Sequence, residues 1–131
     1  MESIFKRPDS TFVADFVGMK NLFAAQFHGT KASTGNIEIE LGAKPANGHG
    51  YIAIRPEDIV LSREKLTSSM RNSFAGNITE ISDHGLYYEA GIMVENITFK
   101  SLITKSALLD LQLAEGTGIV VSFKSTAIHT F

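Results

Sequence analysis

The chain has 131 residues and no cysteine, and its 12 lysines and arginines against 14 aspartates and glutamates leave a net charge of −2. That length supports one domain, or two very small subdomains sharing a core, and the missing cysteines exclude a disulfide framework and thiolate metal sites. The charge balance provides no broad basic face for a nucleic-acid backbone, no apolar run approaches the ~20 residues of a membrane span, and MESIFKRPDSTF lacks the apolar stretch of a signal peptide.

In chain order, TFVADFVGMKNLF sets Phe12, Val13, Phe16 and Val17 at helical spacing before Gly18, which predicts one short helix. No element is assigned between 24 and 34. The period then becomes two. GNIEIELG alternates Ile37, Ile39 and Leu41 with Glu38 and Glu40, and GYIAIRPEDIVLS gives one strand before Pro56 and a second after it. From 73 to 103 the pattern reads as three short strands turning at Asp83-His84-Gly85 and at Glu95-Asn96. In TKSALLDLQLAEG, Leu108, Leu111 and Leu113 return to near-helical spacing, with Thr104 as N-cap and Gly116 as the closing residue. GIVVSFKSTAIHTF is a further strand, whose Val, Ile and Phe content suits the middle of a sheet and places Lys124 inside an apolar run. Short strands broken by a brief helix predict a mainly β fold, small OB-like antiparallel barrels with one or two short helices. No internal repeat is strong enough to name.

Carboxylates avoid three windows. Between Glu64 and Glu80 stand Lys65 and Arg71, between Glu95 and Asp110 stand Lys100 and Lys105, and after Glu115 stands Lys124. Each window adds hydroxyls: Ser68, Ser69 and Ser73 near Arg71, Thr104 and Ser106 around Lys105, and Ser122, Ser125 and Thr126 around Lys124. Brought together they would make a cavity rich in donors and free of carboxylates, suited to an anion, and Thr104 would add backbone N–H groups. The competing reading is that these hydroxyls satisfy turns or sit on wet faces.

His28, His49, His84 and His129 lack metal-ligand spacing and read as surface residues. Ser82, Asp83 and His84 are adjacent in sequence, where they cannot adopt triad geometry. No G-x-x-x-x-G-K-[ST] phosphate loop occurs. Phe5, Phe12 and Phe16 fit a docking face better than a base-stacking platform.

Three stretches, TFVADFVGMKNLF, YIAIRPEDIVLS and the span from SSMRNSFAGNITEISDHG to SFKSTAIH, resemble the C-terminal regulatory region of molybdate/tungstate ABC transporter ATP-binding subunits. IRPEDI marks the wider importer superfamily, whereas S-x-R-N-S-x-x-G-x-I with S-F-K-S-T-A-I is similar to the Mop module. The resemblance implies a connector with a short helix (1–20), a first OB-like subdomain (21–66) and a Mop-like oxyanion-binding subdomain (67–131). It implies oxyanion ligands at Ser69, Met70 through its backbone, Arg71, Thr104, Lys124 and Ser125. Where the family commonly has a serine three residues after the threonine, this chain has Ala107, so Ser106 joins the candidate set.

The implied ligand is molybdate or tungstate, with no cofactor and no resident metal. A tetrahedral dianion without a proton presents acceptors only, so donors without acids favour it over phosphate, which keeps a proton and would use a carboxylate acceptor. The expected function is a cytoplasmic, non-enzymatic regulatory domain that slows import when oxyanion is plentiful. Its expected partners are a second copy, the ATP-binding domains and the membrane permease, with no nucleic acid and no direct membrane insertion. In the family a nucleotide-binding domain precedes this region, so the chain reads as a fragment or a separately expressed domain. The alternative is a stand-alone storage or buffering protein.

Overall fold

The computed structural model describes residues 21–42, 48–65 and 72–130. The helix expected over 11–18, and Phe5, Phe12 and Phe16, lie outside them. Among the described residues, ten strands are arranged as two five-stranded antiparallel sheets. In the first half, β1 (Leu22–His28), β2 (Lys31–Thr34), β3 (Ile37–Glu40) and β4 (Gly48–Ala53) precede a 3-10 turn, η1 (Pro56–Asp58), and β5 (Val60–Ser62). In the second, β6 (Asn72–Asp83), β7 (Tyr88–Val94), β8 (Ile97–Ile103), helix α1 (Lys105–Asp110) and β9 (Gly118–Phe123) precede η2 (Ser125–Ala127) and β10 (His129–Thr130).

The orders β10-β4-β1-β2-β3 and β5-β9-β6-β7-β8 are the same topology written twice, with the last strand of each half exchanged into the other sheet. The chain therefore contains a structural repeat that the sequence reading did not name. Its local geometry is duplicated too. Turns β2–β3 and β7–β8 begin at Gly35 (φ 56) and Glu95 (φ 54), each followed by Asn-Ile. The residue before η1, Arg55, has φ −69 and ψ 140, and the one before η2, Lys124, has φ −77 and ψ 145.

Two asparagines tie the halves together. Asn72 donates through Nδ2 to Glu40 O at 2.9 Å, and Glu40 N donates to Asn72 Oδ1 at 2.9 Å. Asn21 does the same to Lys100, at 2.8 and 2.7 Å. Glu40 is on β3 and Lys100 on β8, which are edge strands, so each buried amide satisfies edge backbone groups of the opposite sheet and blunts that edge. One core serves both halves: Phe99 and Phe123 are fully buried 5.6 Å apart, Phe23 packs edge-on against Phe99, and Phe74 against Phe123.

The alternation expected for 37–41 holds, with Ile37 and Ile39 buried and Glu38 exposed. The three strands expected over 73–103 are β6, β7 and β8, though β6 is long. The central position expected of the C-terminal apolar run holds for β9, buried from Ile119 to Phe123 between β5 and β6. That run does not continue to the end, however. Ala127 N bonds Lys124 O and Ile128 N bonds Ser125 O, closing η2 and carrying β10 across to β4. The helix is confined to Lys105–Asp110, while Gly116, with φ 89, belongs to the turn before β9. β1 and β2, unassigned from sequence, form a hairpin about Gly29, whose φ of 66 suits glycine.

Candidate anion-binding site

Lys124 and Ser125 stand together where β9 ends. Lys124 is exposed and extended, between a fully buried Phe123 and a buried Ser125. It is thus not the mid-strand lysine expected from VVSFKSTAI, because η2 breaks the strand at that residue. Ser125 sits over the end of β3: a Cβ added at Gly42 would lie 2.8 Å from Ser125 Oγ, so glycine leaves the room this serine occupies.

Beneath them, β6 and β9 pair in register as Asn72↔Phe123 and Ser73↔Ser122. The last pair is bonded side chain to side chain, Oγ to Oγ at 2.9 Å, with Ser122 fully buried. Asn72, whose predecessor in sequence is Arg71, therefore faces Phe123, whose successor is Lys124. Ser69, Met70 and Arg71 themselves lie outside the described residues. Among the described residues, Lys31 pairs with Glu38 and Lys100 with Glu80, His84 Nε2 lies 4.0 Å from Glu89 Oε1, and no ion pair involves Lys124.

Thr104 caps α1 as expected, its hydroxyl accepting from Ala107 N at 3.0 Å, and Ser106 is exposed on the first turn. Both are remote from Lys124 along the sheet. Thr104 follows Ile103, which pairs with Tyr88, which pairs with Asp83, the last residue of β6, whereas Lys124 follows the partner of Asn72, the first. One chain thus presents the candidates as two groups at opposite ends of β6, Lys124 with Ser125 and Thr104 with Ser106. Lys100, the other cation of the second carboxylate-free window, is engaged with Glu80 at 2.6 Å.

Other candidates resolve as structural. His28 bonds Ser33, and His84 stacks on Tyr87 at 5.2 Å. Asp83 Oδ1 accepts from Gly85 N at 2.9 Å within the turn. No group of three metal-ligating side chains occurs among the described residues. A groove of about 390 Å³ runs past Arg63, Gly76, Asn77 and Gly118, over the middle of β6 and the start of β9, and none of the candidate residues lines it. Sequence reasoning missed Asn21, Asn72 and Gly42, although NLFAA and NSFAG were a readable pair.

No helix among the described residues is long and apolar enough to cross a membrane. The TOBE domain family matches residues 68–130. The chain is 33% identical over all 131 residues to the molybdate/tungstate import ATP-binding protein WtpC of Pyrococcus abyssi, and 33% to that of Pyrococcus horikoshii. It spans 38% of the length of each. In fold it is similar to the molybdate-bound crystal structure of the cytoplasmic molybdate-binding protein ModG, with a TM-score of 0.71 at 16% identity, covering 86% of this chain and 95% of that one. The two curled antiparallel sheets are accordingly an OB-like arrangement of that type. Residues 68–130 match the TOBE domain, and the chain as a whole is homologous to the C-terminal region of the molybdate/tungstate import ATP-binding proteins.

Proposed function

We propose that this chain is the cytoplasmic, non-enzymatic regulatory part of a molybdate/tungstate importer, binding the oxyanion it senses and restraining transport. The observation that carries the reading is that Lys124, exposed and without an ion-pair partner among the described residues, stands next to the buried Ser125 in a chain 33% identical over its 131 residues to an import subunit. In this reading 67–131 form the oxyanion-binding unit, 21–66 form its companion, and 1–20 connect them to an ATP-binding domain. Lys124 supplies charge, and Ser125, Ser69, the Met70 backbone and Arg71 supply further donors. Several charge-assisted bonds of about 1.5–3 kcal/mol each support tight binding on a chain that is acidic overall.

Thr104 and Ser106 reach the same anion only from a second copy, because they lie at the other end of β6. The ligand then favours one arrangement of two chains by its differential affinity, which is what regulation of attached ATPase domains and permease requires. Reciprocally, pairing tightens anion binding.

Titration calorimetry with molybdate, tungstate, sulfate and phosphate tests binding. Heat is expected from the first two and little from phosphate. Lys124→Ala weakens molybdate tenfold to a hundredfold, about 1.4–2.7 kcal/mol, while Lys31→Ala, paired with Glu38 at 3.7 Å on the opposite sheet, changes nothing. Equal heats for all four anions would reduce the site to a generic cationic patch. Sedimentation should show a dimer, and transport by the complete importer should slow with internal molybdate; binding without any effect on transport would instead support storage.

A further inference from the structure

We infer that oxyanion is held only in the second repeat of each chain, and that the first repeat, built on the same backbone, is closed to it by its side chains. This rests on the oxyanion reading above, which already gives binding to 67–131, and adds that the first half is closed to the ligand and which residues close it.

The two halves align without ambiguity around fixed points. Asn21 corresponds to Asn72 through the reciprocal clamps, and Asn36 to Asn96 through the turns that begin at Gly35 and Glu95. Arg55 corresponds to Lys124 and Ile59 to Ile128, since Asp58 N bonds Arg55 O as Ala127 N bonds Lys124 O, and Ile59 N bonds Pro56 O as Ile128 N bonds Ser125 O. With these points fixed, the chemistry at equivalent positions can be compared directly.

The cation is kept and the hydroxyls are not. Arg55 stands for Lys124, exposed in the same extended conformation. Pro56 stands for Ser125, and proline offers neither a hydroxyl nor an N–H. The bonded hydroxyl rung Ser73↔Ser122 is replaced by the apolar rung Leu22↔Ala53. The sequence agrees on either side: G-M-K-N ends at Asn21 where S-M-R-N ends at Asn72, so Gly18 replaces Ser69 while Lys20 replaces Arg71. The connection from β3 to β4, LGAKPAN, has no serine or threonine, whereas that from β8 to β9 carries Thr104 and Ser106.

Carboxylates are added as well. Glu57 and Asp58 occupy the positions of Thr126 and Ala127. A proton-free dianion meets acceptors there instead of donors, and like charge raises the cost further. The first repeat thus retains the shape of a binding half and lacks its donors, which suits it to act as a scaffold that positions the second through the Asn72–Glu40 and Gly42–Ser125 contacts.

The test is titration calorimetry of the 131-residue chain with sodium tungstate. Saturation is expected at no more than one tungstate per chain, Lys124→Ala should weaken every bound equivalent tenfold or more, and Arg55→Ala should bind within twofold of the parent. Two equivalents per chain would overturn the inference and leave the oxyanion reading intact. So would a Lys124→Ala chain that keeps a full-affinity equivalent which Arg55→Ala removes. No heat with either tungstate or molybdate would overturn both.

Discussion

Replacing Asn72 by alanine probes the link between the two sheets. The side chain is only 3% exposed, and both ends of its amide are used, on the N–H and the C=O of Glu40 at 2.9 Å each. A buried hydrogen bond contributes about 0.5–1.5 kcal/mol net, and leaving its partner unsatisfied costs about 1–3 kcal/mol. Two bonds are lost here. Glu40 is half-buried on an edge strand, so water recovers part of the loss, and the expected destabilisation is about 2–4 kcal/mol. Urea unfolding followed by far-ultraviolet circular dichroism measures it. Asn96→Ala is the control, because its Oδ1 accepts a single bond from Asn36 N in an exposed turn and should cost under about 1 kcal/mol. A penalty for Asn72→Ala no larger than the control's would refute the clamp. Asn21→Ala should match it, given the equivalent pair of bonds to Lys100.

Gly42→Ala should destabilise by about 1–3 kcal/mol, since a φ of 78 disfavours any side chain and its Cβ would press on Ser125 Oγ, and it should weaken tungstate in the same variant; parental affinity would show that Ser125 is not a ligand. Glu80→Gln breaks the 2.6 Å contact with Lys100, but Glu80 is 52% exposed, so unfolding in urea should shift by less than about 1 kcal/mol, and a larger loss would mean the pair supports β6 against β8 more than its exposure implies.

The sequence showed strand order and candidate chemistry unequally, and the reasons are physical. Alternation at 37–41 was legible because one face of that strand is wet, and β8 alternates buried with half-buried positions, whereas β7 is buried at four consecutive positions and carries no such pattern. The break in the C-terminal run was not legible, because KSTAI contains no proline or glycine, and η2 forms there by two backbone bonds that no periodicity announces. IRPEDI carried the missing information: its Pro56 marks a 3-10 turn in the first half, and recognising KSTAI as its counterpart would have placed the second. NLFAA and NSFAG stayed similar while PED and STA did not, so the duplication is legible at one end of each half and hidden at the other. The carboxylate-free windows gathered the candidate donors along the chain, yet no one-dimensional pattern states that Thr104 and Lys124 flank opposite ends of a twelve-residue strand. That separation follows from register alone. Under the proposed function, that separation puts the two donor groups of one site on different copies of the chain, so occupancy of the site would require two chains to meet.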